Sequence, residues 1–306
     1  VWDDDFSGPR NRGFDLATGE WVFVLDADEW LREESREPLR ALLDREDADG
    51  FTVFRRDHTP GGWSSMPFVR LVRRSTGVRL TGRIHEHPDR PIGRVLPSDV
   101  EIEHSGYLKD AARKWARNRP LLERELRDRP GQLYYEADLA YGAVRANDPD
   151  WPTLVLAVAA KLDPTLPKSP APTIEPLLET ALLAPDLGLD EVASELAARW
   201  YPDSLPLLVG RARVAFSKGD FASAADLGTE AWERWTAGRR GNGISFDPRM
   251  LGDEFRLNLG VALAQAGRWE ESLAHFDAVT DAPHGAAASA NAAAVRAALA
   301  QSQRTE

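Results

Sequence analysis

The stretch Trp21-Val22-Phe23-Val24-Leu25-Asp26-Ala27-Asp28-Glu29 decides the fold: an apolar run of strand length ends abruptly in three carboxylates. A strand buried on both faces reads as a continuous apolar run, and open α/β sheets collect their ligands at the carboxyl ends of such strands. On an extended backbone Asp26 and Asp28, two residues apart, point to the same side, so both reach one divalent cation or one metal-bound phosphate. The reading requires these acids to be available; locked to arginines, they would hold no cation. Taken alone, an Asp-x-Asp pair also fits a strand-to-loop transition that caps the next helix.

Working outward, Ser7 and Pro9 mark a helix start and Gly19 its stop, so a helix precedes the strand. Ser35 and Pro38 open a second helix that closes before Gly50. Strand-like runs follow at Phe51 to Arg56, Phe68 to Arg73, Val78 to Ile84 and Val100 to His104. Few helices among several strands predict a mixed α/β sheet. From about Lys109 the strand signal stops, and alanine and leucine recur at helical spacing between glycine and proline breaks. The expected domains are therefore 1–107, α/β, and 108–306, all helix. Lys218-Gly219-Asp220-Phe221-Ala222-Ser223-Ala224-Ala225 is echoed by Ala266-Gly267-Arg268-Trp269-Glu270-Glu271-Ser272-Leu273, 48 residues on. That is the inter-helix turn of a tetratricopeptide-like unit, whose usual period of ~34 residues is exceeded here by a Gly- and Arg-rich loop between Thr236 and Pro248. Asn147-Asp148-Pro149-Asp150-Trp151 reads as a third, weaker copy.

Composition bounds the function. The 306 residues, 42% hydrophobic and 28% charged, suit a globular protein of two domains. A net charge of −11 and a pI near 5.2 disfavour nucleic acid and anionic lipid, both polyanions. No apolar run approaches the ~20 residues of a membrane span. The acidic start at Val1-Trp2-Asp3-Asp4-Asp5 is unlike a signal peptide, and a chain opening with valine reads as processed or as a fragment. The lack of cysteine fits the cytoplasm and leaves oxygen and imidazole as metal ligands.

Several linked motifs resemble one family. Asp5-Phe6-Ser7-Gly8-Pro9-Arg10-Asn11-Arg12-Gly13, Ala17-Thr18-Gly19-Glu20-Trp21 and Leu25-Asp26-Ala27-Asp28-Glu29 look like the middle of a family-2 glycosyltransferase of GT-A fold, where an Arg-Asn helix precedes a strand ending in the metal-binding Asp-x-Asp. Phe68-Val69-Arg70-Leu71-Val72-Arg73-Arg74, Gly82-Arg83-Ile84-His85-Glu86 and Glu103-His104-Ser105-Gly106-Tyr107 are similar to blocks of its bacterial branch with C-terminal tetratricopeptide helices. The resemblance covers roughly residues 2 to 107. It lacks the strand-helix units that in the family hold base and ribose, which implies a partial GT-A sheet followed by a tetratricopeptide-like domain.

The resemblance implies a transferase that moves a sugar from a nucleoside-diphosphate sugar, with inversion, using Mn or Mg. Asp26, Asp28 and His104 are then the metal set, since such enzymes often add a late histidine to the acids. Glu86 is the expected general base that takes the acceptor's proton, with Glu29 the alternative base or a group behind it. Glu86 has a plainer reading as the ion-pair partner of Arg83 or Arg79. Arg10, Asn11 and Asp26 are the expected donor contacts, and Arg70, Arg73, Arg74, Arg79 and Arg83 form a basic stretch that steers a diphosphate or simply faces water. His85 and His87 lie close by; His87, before Pro88, reads as structural. Trp30 and Trp63 offer rings for a sugar, although most of ten tryptophans belong in cores. The helical half reads as an interaction surface for a peptide or protein acceptor, or as a cover for the sheet. The rival reading is a helical-repeat binding module whose sheet has lost catalysis; a metal-dependent hydrolase lacks the dense His/Asp pattern of two metals.

Overall fold

A computed structural model describes residues 4–59, 62–105, 111–238 and 248–302. The chain divides into two compact units, the first running to Val158 and the second beginning at Ala159.

In the first unit, helix α1 (Ser7–Leu16) precedes strand β1 (Trp21–Phe23). The side chain of Asp5, not Ser7, caps α1, accepting from the Ser7 backbone N–H at 2.6 Å and from the Ser7 hydroxyl. Strand β2 (Glu29–Leu31) and helix α2 (Arg36–Leu43) lead to the long hairpin β3 (Gly50–Thr59) and β4 (Gly62–Arg73). Short strands β5 (Leu80–Thr81) and β6 (His87–Pro88) pair with each other, and β7 (Val95–His104) completes the sheet. The sheet order is β1-β4-β3-β7-β2, antiparallel except for the parallel pair β3 and β7, so it is the mixed sheet expected. The strand predicted over Val78 to Ile84 shrinks to Leu80–Thr81, because Gly82 (φ 103°) and His85 (φ 53°) turn the chain through left-handed conformations.

Phe51, Val53, Leu71, Val100 and Ile102 pack with Leu42 of α2 as the sheet's core. Each such burial contributes roughly 1.5–3 kcal/mol. Strands give way to helices after His104: α3 (Ala111–Asp128), α4 (Leu133–Ala146) and α5 (Trp151–Ala159) follow. The compact unit nevertheless continues to Val158, since Phe6 and Ile84 share a second core with Leu121, Leu122, Tyr135 and Leu139 of α3 and α4.

The second unit holds α6 (Ile174–Leu183), α7 (Asp190–Trp200), α8 (Leu205–Ser217), α9 (Phe221–Thr236), α10 (Asp253–Gln265), α11 (Trp269–Phe276) and α12 (Ala282–Ser302). Successive helices pack on one another. The repeat seen in the sequence is geometric. Gly219 (φ 77°) and Gly267 (φ 78°) each donate to the carbonyl three residues back, and Asp220 and Arg268 each donate five back, to Ala215 and Leu263. Asn147 (φ 51°) and Asp148 repeat this pattern between α4 and α5, so the third copy keeps the turn, with asparagine in the left-handed site. The loop expected to lengthen the repeat lies largely outside the described residues.

Within α6, Glu175 is buried and Glu179, one turn on, is partly buried. Burial, reinforced by Glu175, pushes Glu179 up to about 7, and burial also raises Glu175. A carboxyl raised in the folded state favours the protonated form, so stability falls as pH rises from the ordinary 4.5 towards 7 and is level above. Glu179→Gln should remove most of that slope and raise stability at pH 8 by on the order of 2–3 kcal/mol, measured by urea denaturation at pH 5 and 8. An unchanged slope would show that Glu179 titrates normally.

Candidate active site

Strand β1 stops at Phe23, two residues short of the predicted end, and Asp26 and Asp28 lie in the turn that leads to Glu29, the first residue of β2. The Glu29 N–H donates to the Asp26 carbonyl at 3.0 Å, and the Asp26 N–H donates to Glu29 Oε2 at 2.9 Å. The turn removes the alternation that would have put Asp26 and Asp28 on one side.

Asp26 is held by Arg10 of α1 and lies 3.5 Å from Arg70 Nη2. It therefore does not meet the condition set for a cation ligand in this arrangement. The Asp28 side chain is 46% exposed, and His104 Nε2 lies 3.3 Å from its Oδ2. His104 Nδ1 meets Asp57 Oδ1 at 2.5 Å. With the ring proton on Nδ1 facing Asp57, the Nε2 lone pair faces Asp28, the pose of a metal-ligating histidine oriented by a carboxylate behind it. Oxygen of Asp28 and nitrogen of His104 are thus a donor pair that fits Mn or Mg. Among the described residues no group of three or more His, Asp and Glu is arranged to hold a metal.

Glu29 is walled in. Its side chain has no exposed surface, and Arg70 Nη2 lies 2.6 Å and Arg55 Nη1 3.7 Å from its Oε1. This corrects its reading as an alternative base: with its oxygens turned onto Arg70 and the Asp26 N–H, it fixes the turn instead of reaching an acceptor. Arg70 gets there through a β-bulge. Phe51 pairs with Leu71 and Thr52 with Val69, which leaves Arg70 as the extra residue on β4. Such a bulge re-aims a side chain. The Arg70 carbonyl also accepts from the Val24 N–H at 2.8 Å, which ties β1's exit to it. Phe68 lies under the guanidinium of Arg55 at 4.3 Å and that of Arg70 at 5.7 Å.

Glu86, 8% exposed, pairs with Arg10 Nε at 2.6 Å. Its partner is neither of the arginines weighed from sequence: Arg83 pairs with Asp128 at 2.7 Å, and Arg79 with Asp15 at 2.7 Å. Arg10 thus joins Asp26 to Glu86. Asn11, expected at the donor, has both ends of its amide on the Leu80 backbone, donating to the carbonyl and accepting from the N–H at 2.8 Å each, so it anchors β5 to α1. Of the basic stretch, Arg70 reaches the acids; Arg73 stacks over Trp21 and Arg74 donates to the Gly19 carbonyl. His85 pairs with Asp138 at 3.2 Å, and His87 lies exposed in β6. The side chain of Trp63, like Gly106 and Tyr107 of the last block, lies outside the described residues.

Sequence reading missed Arg55 and Asp57, joined by two hydrogen bonds of 2.8 and 3.1 Å. The signal was present: in β3 the inward series Val53, Arg55, Asp57 passes from apolar to charged on one face. Lys114 of α3 was missed as well. Burial lowers its pKa while Asp28 and Asp57 act to raise it, which puts its ammonium within electrostatic range of the Asp28–His104 pair.

With this geometry in place, comparison with known proteins shows what parts of the chain are similar to. Residues 2–92 match the profile of glycosyl transferase family 2, so the part of the chain that precedes the helices is similar to that family. Over 161 residues the chain is 35% identical to a TPR repeat-containing protein of Synechococcus elongatus, covering 48% of this chain and 40% of that protein. It is 25% identical over 143 residues to the glycosyltransferase SunS of Bacillus phage SPbeta and to its prophage-derived counterpart in Bacillus subtilis, covering 42% of this chain and 32% of each. The matched regions span two fifths or less of these relatives. No helix among the described residues is long and apolar enough to cross a membrane.

Proposed function

We propose that this chain serves a metal-dependent glycosyltransferase, acting in the cytoplasm, that moves a sugar from a nucleoside-diphosphate sugar to an acceptor with inversion. The observation that carries the reading is the Asp28–His104–Asp57 line: an available carboxylate facing an imidazole nitrogen whose other nitrogen is fixed. Asp28 and His104 would hold Mn or Mg, which would supply positive charge beside the departing diphosphate. Arg10, steadied by Asp26 and Glu86, has a guanidinium suited to phosphate oxygens. Glu86, next to Arg10, is the group assigned to take the acceptor's proton, an effect typically worth about 10²–10⁴-fold. The functional division proposed is 1–107 for transfer and 108–306 for a peptide or protein acceptor, a reading supported by the tetratricopeptide-like turns and by the TPR-named relative.

Calorimetry with manganese and then UDP tests this. The wild-type chain should bind manganese, and His104→Ala should weaken that binding at least about tenfold. Binding of neither manganese nor UDP, with capture of peptide instead, would favour the rival reading, a helical-repeat module on a sheet without catalysis.

A further inference from the structure

Neighbouring residues in a strand face opposite ways, so the residues adjacent to the site build a second surface on the reverse face of the sheet. Trp30 follows Glu29, His58 follows Asp57, and Glu103 precedes His104. The register puts Trp30 opposite Glu103 and Arg56 beside Glu103, with His58 two residues beyond Arg56 and Glu101 two before Glu103. Trp30 is 48% exposed, and among the exposed large hydrophobic residues described it is the aromatic one. Its indole lies nearly parallel to the His58 ring, at 16° with centroids 6.2 Å apart. His58 Nε2 meets Glu103 at 2.8 Å, Arg32 meets Glu101 at 2.7 Å and Glu103 at 3.6 Å, and Arg56 lies 3.6 Å from Glu101 and 3.8 Å from Glu103.

We infer that Trp30 and His58 form a saccharide-binding platform on this reverse face, taking the apolar face of a neutral pyranose with Glu101, Glu103, Arg32 and Arg56 beside its hydroxyls. An exposed indole stacked on the His58 ring, which is itself held by Glu103, is preorganised, so little ordering entropy is lost on binding. Its π-face suits the C–H groups that line one side of a pyranose. The polar surround selects the ligand further. The two guanidiniums meet three carboxylates, Glu34, Glu101 and Glu103, so no surplus positive charge draws a nucleotide phosphate, and each of these carboxylates is already paired. A ligand with a flat apolar side and uncharged donors and acceptors fits that balance. The platform is separated from Asp28 and His104 by the sheet, so the inference stands apart from the transferase reading.

The test is NMR of the nitrogen-15-labelled chain, with the Trp30 indole N–H assigned through Trp30→Phe. Titration with cellobiose, maltose and N,N′-diacetylchitobiose should move that resonance saturably for at least one sugar, with a Kd on the order of 1 mM. Trp30→Ala should lose binding by at least about tenfold and His58→Ala should weaken it, while Trp30→Phe retains it and Asp28→Ala leaves it unchanged. UMP should leave the Trp30 indole in place. Failure of all three disaccharides to move the resonance at about ten times that concentration would overturn the inference. So would an equal response to UMP, or undiminished binding by a folded Trp30→Ala chain.

Discussion

Arg70→Met is expected to destabilise the sheet unit by about 3–5 kcal/mol, because it strips the nearest cation from a carboxylate with no exposed surface. Glu29 would be left with the Asp26 N–H and with Arg55 at 3.7 Å. The loss should appear in urea denaturation and as a fall in Tm on the order of 10 °C. The double variant Glu29→Gln/Arg70→Met removes both charges and should recover at least about 1 kcal/mol relative to adding the two single effects. A fall of less than about 1 kcal/mol for Arg70→Met would mean that Glu29 does not depend on Arg70.

Asp28→Ala is expected to lower sugar transfer by at least about 10²–10³-fold in any catalytically competent form of the protein, since it removes the carboxylate available to a cation. Asp28→Asn should behave alike, as it keeps the shape and loses the charge. Both variants should keep the wild-type Tm, because Asp28 is half-exposed and lies 3.3 Å from His104 without closing a buried pair. Donor hydrolysis and transfer are the readouts, with manganese varied. Turnover equal to wild type would remove Asp28 from the mechanism.

Much of this was legible in the chain. Trp21 to Phe23 enters a sheet because its apolar run fits no amphipathic helix, and the acids follow at its exit. The glycine-aromatic echo at 219 and 267 predicts its turn because left-handed backbone favours glycine, and Asn147 tolerates the same conformation. What sequence misread are pairings between distant residues. Glu86 was set against Arg83 and Arg79 as near neighbours, whereas its partner, Arg10, comes from α1, 76 positions away. Alternation along a strand predicts Asp26 and Asp28 as one pair, and the turn ends the strand first.

By itself the sequence determined the mixed sheet, the change to helices near residue 107, the repeated turns and the acid-rich edge, because backbone preference and hydrophobic period act within a few residues. Only the tertiary structure decided that Asp26 belongs to arginines and Asp28 to His104, that Glu29 is enclosed, and that a bulge aims Arg70 inward. Those outcomes turn on which charges meet once the chain is folded, and an ion pair between residues far apart in sequence leaves no periodic trace in it.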